Sequence, residues 1–194
     1  NQVTEVKVMN GTTNVSANYN ITTVKGTLEV TKKAVTITAK SENFAYDGNA
    51  HTNSGYDVAG LIGSDSLTAT VSGTITYPTE SPVANKVTGH TFTVGNANNY
   101  TVSYVDGALT MSNASIDITV TADSNFKVYD GTALTDNGYT YTGTLANGDI
   151  LSVTVVGSIT DAGTADNEVT EVKVTNGTTD VTANYNITKV KGTL

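Results

Sequence analysis

The 194-residue sequence contains no cysteine, no tryptophan, no arginine and only two prolines. Without cysteine there is neither a disulfide framework nor a thiolate metal site. Without arginine there are no bidentate guanidinium forks for phosphate groups or base edges. The net charge of −8, with lysine as the only basic residue besides two histidines, also repels a polyanion. We therefore expect no nucleic acid among the partners of this chain.

Long apolar runs and helical periodicity are also absent. No segment reaches the roughly 18 apolar residues of a membrane span, and no signal peptide is visible. We therefore expect no membrane insertion by this segment, and any export or anchoring signal to lie outside it. Apolar residues never recur at i, i+3, i+4, i+7 over ten or more positions. Thr, Val, Asn, Gly and Tyr dominate instead, which predicts a mainly β protein.

The chain repeats itself on two scales. Residues 1–28 return as residues 167–194, at an offset of 166 and with only five differences. The 166-residue unit is itself double, because short motifs of residues 34–114 recur in the same order in residues 115–194. The pattern predicts a window on a tandem array of β-rich modules of roughly 80–85 residues in two alternating versions.

Within a strand the apolar residues occupy every second position, and this alternation is called the apolar parity. The module boundaries are predicted where the parity switches from one strand face to the other, near 33/34 and 114/115. Residues 1–33 are then the C-terminal third of a preceding module. Residues 34–114 are called module A, and residues 115–194 are called module B, which lacks only its last few residues. The junctions are short and hold no Gly or Pro. They predict a fixed relation between successive modules and an extended rod.

Two turn predictions concern the inside of the module. Asn10-Gly11 is a two-residue hairpin signal. A second parity change falls at Lys25-Gly26, Asp106-Gly107 and Lys191-Gly192, where we expect a tight hairpin, with a bulge in one long strand as the alternative. Matching Phe44 with Phe126 also makes the loop after the first strand differ in length between the modules.

Three motifs in a fixed order carry a family resemblance. The first is Tyr46-Asp47-Gly48 with Tyr129-Asp130-Gly131, and the second is the segment Leu61–Leu67 with its copy Leu145–Leu151, which contain Asp65 and Asp149. The third is the closing Asn-Tyr-x-Ile-Thr-x-x-x-Gly-x-Leu-x-Val pattern. Together they resemble the YDG/MBG-type tandem repeat domains of bacterial cell-surface adhesins, over essentially the whole chain. The resemblance implies an exported, surface-anchored protein with β-grasp-like modules; an Ig-like β-sandwich is the alternative. It carries over no catalytic residues.

We expect structural roles for the motif residues. In Tyr-Asp-Gly, the glycines Gly48 and Gly131 should take the left-handed conformation, the aspartates should bond neighbouring backbone N–H groups, and the tyrosines should pack in the core. Asp65 and Asp149 are interpreted as caps of a one-turn helical segment. Module A has Gly-Ser-Asp where module B has Gly-Asp, so the turn there is expected to differ.

No residue pattern indicates catalysis, and we predict that the chain is not an enzyme and uses no cofactor. No carboxylate pair, nucleophile–base spacing or phosphate-binding loop recurs. The acidic residues are scattered without a D-x-D-x-D loop, and His51 and His90 have no counterpart in module B. We therefore assign no metal site, while calcium at the module junctions stays open.

Two functions fit these features. The first is a stalk or spacer repeat of a secreted bacterial surface adhesin, anchored by a region outside this chain, with neighbouring modules of the same chain as partners. The alternative is a module that binds a host glycan or matrix protein weakly and gains avidity from repetition. The candidate for such binding is the loop with Tyr77, Pro78 and Glu80, which module B lacks.

Overall fold

The fold is mainly β, as the sequence predicts. A computed structural model describes all residues from Asn1 to Leu194 and contains no α-helix. Its only helical elements are four 3₁₀ turns of three residues each, Ser16–Asn18, Pro78–Glu80, Ala97–Asn99 and Thr182–Asn184. None of these turns has the length or the hydropathy of a membrane-crossing helix.

Module A is built from two sheets. Its strands are β3 (Lys33–Ala39), β4 (Glu42–Ala45), β5 (Tyr56–Ala59), β6 (Ser66–Ser72), β7 (Val83–Val94), β8 (Tyr100–Val105) and β9 (Gly107–Ser112). In the first sheet β3 lies between β5, to which it is antiparallel, and β8, to which it is parallel. The second sheet has the order β4-β9-β7-β6.

Two long stretches of chain pass through both sheets. Lys33 pairs with Tyr100 in the first sheet and Glu42 pairs with Leu109 in the second, at the same offset of 67 residues. Residues 33–45 and 100–112 therefore run side by side in parallel along their whole length. An Ig-like sandwich consists of antiparallel sheets, and this parallel pair departs from it. The β-grasp-like topology stays a prediction.

The tight hairpin predicted at Asp106-Gly107 and Lys191-Gly192 is wrong. β8 and β9 do not pair with each other, and Asp106 lies where the chain changes sheet. A Cβ on Gly107 would come within 2.5 Å of the Lys40 carbonyl oxygen. Asn85, which is fully buried, donates its Nδ2 to the same carbonyl at 2.8 Å. A glycine and a buried asparagine therefore fix the point at which both long stretches leave one sheet for the other.

Module B repeats most of the pairings of module A. Its strands are β10 (Ile116–Ala122), β11 (Tyr139–Thr142), β12 (Asp149–Val156), β13 (Asp166–Asn176), β14 (Thr179–Asp180), β15 (Tyr185–Val190) and β16 (Gly192–Thr193). β10 lies antiparallel to β11 and parallel to β15, β12 pairs with β13, and β16 pairs with β13. Module B has no counterpart of β4, because residues 125–128 form no strand.

The loop after the first strand has the same length in both modules, which corrects the expected difference. Ser41 and Ser124 accept equivalent backbone hydrogen bonds, and the isolated bridges of His51 and Leu134 are equivalent too. Ser41 and Ser124 are separated by 83 residues, and so are His51 and Leu134. Phe126 therefore corresponds to Asn43 rather than to Phe44.

The buried residues form two apolar clusters, and their division does not follow the predicted boundary at 114/115. The smaller cluster lies between the two sheets of module A and contains six residues, among them Val35 and Leu67. The larger cluster has twelve, of which four belong to module A and eight to module B. The four from module A are Tyr46, Ile75, Leu109 and Met111. The boundary itself stays a prediction, but the apolar packing is continuous across it.

Residues 1–28 keep only the local structure of their copy at residues 167–194. A hairpin is confirmed at Asn10-Gly11, with β1 (Met9–Asn10) paired to β2 (Thr13–Asn14) as β13 is paired to β14. Asn10 pairs with Thr13, so the two residues of the turn are Gly11 and Thr12, one position later than predicted. The 3₁₀ turn after it recurs as well. Residues 19–24, however, form no strand, whereas their copy forms β15. β15 bonds to β10, and no second β10 lies beside residues 19–24 in this chain.

Candidate functional site: the interface between modules A and B

The centre of the interface is Tyr46, which directly follows β4 and is only 3% exposed. Its hydroxyl makes a hydrogen bond across the interface and donates to Oδ1 of Asp149 in module B at 2.6 Å. The same oxygen accepts Nδ2 of Asn176 at 2.7 Å, and Oδ2 accepts the Tyr185 hydroxyl at 2.5 Å. One carboxylate therefore gathers three donors, one from module A and two from module B. Charge-assisted hydrogen bonds of this kind are among the strongest in proteins.

The two tyrosines are held in their neutral, donating form. Burial raises the pKa of Tyr185 to about 12, and the hydrogen bond to Asp149 adds to the effect. Burial and the same carboxylate also raise the pKa of Tyr46 well above its usual range. A tyrosinate beside Asp149 would leave two negative charges in a partly desolvated site, which is unfavourable. Both hydroxyls therefore donate at neutral pH.

The backbone after Tyr46 makes the second part of the interface. The carbonyl of Asp47 accepts the Asn147 N–H at 3.1 Å, and Oδ1 of Asn49 accepts Nδ2 of Asn147 at 2.7 Å. Gly48 lies between them at φ 82°, and a Cβ there would come within 2.1 Å of the Asn147 carbonyl oxygen. Glycine is needed at this position for the left-handed conformation and for the close approach of the two chains.

The local shape of Tyr-Asp-Gly agrees with the sequence prediction. Oδ1 of Asp47 accepts the N–H of Asn49 at 2.8 Å, and this bond is the main reason that the Asp47 pKa falls to about 2. In module B, Asp130 accepts the N–H of Thr132 at 2.9 Å in the same way. The aspartates therefore hold the turn, and the glycine after each has a positive φ.

The predicted capping role of Asp65 and Asp149 is wrong. No helix follows either residue, because β6 begins directly after Asp65 and β12 begins at Asp149. Their carboxylates instead accept tyrosine hydroxyls, and Tyr100 donates to Asp65 at 2.6 Å as Tyr185 donates to Asp149. A carboxylate after a glycine-rich turn suits a helix cap and a long-range acceptor equally well, so the sequence could not separate the two roles.

The turn before these aspartates differs between the modules, as expected. Each aspartate N–H donates to the carbonyl three residues earlier, at 3.1 Å in both cases. The left-handed glycine is the first central residue in module A, Gly63 at φ 60°, and the second in module B, Gly148 at φ 76°. Two turn types therefore present an equivalent aspartate.

The loop proposed from sequence as a binding loop lies at this interface. The Tyr77 ring is 6.4 Å from the Tyr46 ring, and its hydroxyl donates to Oδ1 of Asn176 at 3.2 Å. Oε2 of Glu80 accepts the N–H of Tyr77 at 3.0 Å and closes the loop on itself, with Pro78 opening the 3₁₀ turn. The loop thus faces module B, and ligand binding by it stays a prediction.

The linker between the modules is also held in place. Asn184 is buried, and its Oδ1 accepts the backbone N–H of Ala114 at 3.1 Å. Met111, just before the linker, is buried in the apolar cluster that continues into module B. Hydrogen bonds and apolar packing therefore both restrict the joint.

The second copy of the motif has no such partner. Tyr129 is 64% exposed, so the prediction that it packs in a core fails in this chain. Gly131 has φ 78°, with no atom within 4 Å of a Cβ placed on it. The hydrogen bonds of Asp130 to Lys127 and Thr132 lower its pKa far below the usual range. The turn is therefore formed even though nothing in the chain covers it.

The sequence did not identify Asn176 and Tyr185 as interface residues, nor Tyr100 as the partner of Asp65 within module A. The two tyrosines belong to the Asn-Tyr pair that recurs in every copy of the closing motif, and that recurrence was a signal. Asn176 is part of an Asn-Gly pair, which predicts a hairpin turn by itself, so the pair gave no reason to expect a further contact of the asparagine side chain. No three His, Asp or Glu side chains converge as a metal ligand set.

The chain matches no protein-family model, and no curated protein or solved structure is significantly similar to it. By its geometry the molecule is a mainly β protein in which Tyr46, Asp149 and Asn176 join two similarly paired regions. The resemblance to adhesin repeats stays a prediction from sequence.

Proposed function

We propose that this chain is a stalk segment, a spacer repeat of a bacterial surface adhesin that holds a distal binding domain away from the cell. The observation that carries the proposal is the interface itself. The Tyr46–Asp149–Asn176 hydrogen bonds and an apolar cluster shared by both modules resist bending at the joint. A spacer needs such joints, because a flexible linker collapses into a coil whose length grows only as the square root of residue number.

The course of the chain supports an end-to-end arrangement. The parallel stretches 33–45 and 100–112 both start near Asp65 and end near Tyr46, so the chain enters module A at one pole and leaves it at the other. β10 of module B begins after a linker of three residues. At about 3.3 Å per residue, thirteen extended residues add roughly 40 Å per module.

Scattering from tandem chains of increasing module number tests this proposal. We expect a maximum dimension that grows nearly linearly, by roughly 40 Å for each module. Tyr46→Ser should shorten the particle by loosening the joint. Tyr141→Ser removes an exposed tyrosine elsewhere in module B and serves as the matched control. A compact particle that does not lengthen with module number would contradict the stalk and favour the weak multivalent binder, which a glycan and matrix-protein screen would then examine.

A further inference from the structure

Module B presents an uncovered copy of the surface with which module A holds module B. This surface, called the plug, consists of Phe126, Val128, Tyr129, Asp130 and Gly131. All three apolar or aromatic members are exposed, whereas Tyr46, the counterpart of Tyr129, is buried. Three large exposed side chains within four residues form an apolar patch of the kind that marks a protein–protein contact.

Module A presents an uncovered copy of the surface that receives Tyr46. This surface, called the socket, is a groove of about 590 Å³ whose lining includes Thr31, Ile62, Gly63, Asp65 and Tyr100. Oδ2 of Asp65 accepts the Tyr100 hydroxyl at 2.6 Å, just as Asp149 accepts Tyr185. Oδ1 of Asp65 accepts no hydrogen bond in the structure, whereas the corresponding oxygen of Asp149 accepts Tyr46.

We propose that the plug of one copy binds the socket of a second copy of this chain, with the Tyr129 hydroxyl donating to Oδ1 of Asp65. The backbone then follows the observed interface, where the Asp47 carbonyl accepts the Asn147 N–H. Its counterparts are the Asp130 carbonyl and the Gly63 N–H. The open space beside Gly131 receives the turn of the second copy, as Gly48 receives Asn147.

The segment before module A gives an independent reason for this pairing. Val30 corresponds to Met111, since each lies two residues after the leucine of the closing motif. Met111 is 5% exposed and packs in the cluster with Tyr46, whereas Val30 is 98% exposed and borders the socket. Residues 29–31 of the second copy can thus lie beside residues 126–128, as β9 lies beside β4. The contact would cover apolar groups on both copies at once.

The contact deepens the proposed stalk function, on which it rests, because it supplies the joint from module B to module A. Plug and socket are different surfaces at opposite ends of the chain. Such a heterologous contact does not close on itself and leads to open linear assembly rather than to a dimer.

Sedimentation velocity of the full chain tests the proposal, up to about 1 mM, the effective concentration that a short linker supplies. The average mass of the wild-type chain should rise steadily with concentration. Tyr129→Ser removes the side chain of the plug that bonds Asp65, and Ile62→Glu places a charge in the socket. Both residues are exposed, so both variants should fold. Each variant alone should stay monomeric. Their mixture should form dimers and nothing larger, because only one plug and one socket remain intact.

Two further variants serve as matched controls. Tyr141→Ser repeats the tyrosine change and Val156→Glu again replaces an aliphatic residue by glutamate, both at exposed positions outside the plug and the socket, and they should assemble like the wild type. Tyr129→Phe loses only the hydroxyl and should associate at least about tenfold more weakly.

Three results would overturn the proposal: a wild-type chain that stays monomeric, a monomeric mixture of the two variants, or Tyr129→Ser assembling like the wild type. The last would place the contact elsewhere, for example in residues 1–28. Scattering from the monomeric variants reports the A–B joint separately. An extended monomer without assembly therefore rejects only this contact, whereas a compact monomer rejects the stalk.

Discussion

At the scale of single residues, the two aspartates before β6 and β12 offer a comparison within one chain. Asp149 accepts three side-chain donors, two of them on Oδ1, while Asp65 accepts one. Two donors make the difference: Tyr46, which bonds Asp149 across the interface, and Asn176, which bonds it from within module B. Substitution at the two sites therefore compares an aspartate that holds one tyrosine with an aspartate that also holds Tyr46 and Asn176.

We expect Asp149→Ala to lower the free energy of unfolding by about 2–4 kcal/mol, because buried donors left without a partner are strongly unfavourable. Asp65→Ala should cause a clearly smaller loss, since only the Tyr100 hydroxyl loses its acceptor. Urea denaturation followed by circular dichroism measures both. Equal losses would show that the Tyr46 and Asn176 bonds contribute little to stability.

The raised pKa of Tyr185 predicts a loss of stability in alkali. The folded protein holds this proton up to about pH 12, whereas the unfolded chain releases it near the ordinary value of 10.0. The stabilisation is therefore complete below about pH 10 and is lost as the pH rises towards about 12. Thermal melts across this interval should show a steeper decline for the wild type than for Tyr185→Phe. Parallel declines would contradict the assignment.

The sequence predicted the contacts within each Tyr-Asp-Gly turn but not the contacts between residues far apart in the chain. The conformation of Gly48 and Gly131 and the bonds of Asp47 and Asp130 to backbone N–H groups depend on neighbours within two residues, so residue type predicts them. The target of Tyr46 lies 103 residues away, and no local pattern identifies it. The exposure of Tyr129 likewise depends on what lies against it rather than on its motif.

At the scale of elements, the parity change at Asp106-Gly107 fits two different backbone paths, and the sequence does not distinguish them. A hairpin reverses the chain, and a strand that changes sheets turns its other face to the core; both move apolar residues to the opposite parity. Asn85, which is far away in sequence, stabilises the change of sheet, because its Nδ2 donates to the Lys40 carbonyl at the point where the chain changes sheet. Strand content was predictable from composition, whereas strand partners were not.

The duplicated sequence predicts different protection from hydrogen exchange in its two copies. Alternate amides of residues 185–190, those that bond to β10, should be protected, because β15 is the edge strand of its sheet. Amides of residues 19–24 should exchange freely, since they belong to no strand. Exchange measured by NMR separates the copies through their five differing positions. Equal protection would mean that residues 19–24 find a strand partner in solution.

At the scale of the whole molecule, the larger apolar cluster joins residues on both sides of the predicted boundary. Packing of this kind couples the folding of neighbouring units, because one cannot open without exposing apolar surface of the other. The predicted modules are thus units of sequence repetition, while the unit of packing includes the joint.

We therefore expect a single cooperative transition for the wild-type chain in scanning calorimetry. Tyr46→Ser removes the only side chain of module A that bonds Asp149 and should split the transition into two or broaden it markedly. Tyr141→Ser, at an exposed position, should leave one transition. Two transitions in the wild type would show that the joint does not couple the modules.

The parallel pairing of residues 33–45 with residues 100–112 determines how tension would act on module A. Tension on the two ends of the module pulls the first stretch at its N-terminal end and the second stretch at its C-terminal end. The two parallel stretches are therefore pulled in opposite directions along the strand axis. The hydrogen bonds between the stretches are then loaded in shear and must yield together, whereas an antiparallel pair such as β6 and β7, pulled at one end, opens bond by bond. A module of this topology is mechanically strong along its own axis, because the strands that carry the load are also those that hold both sheets.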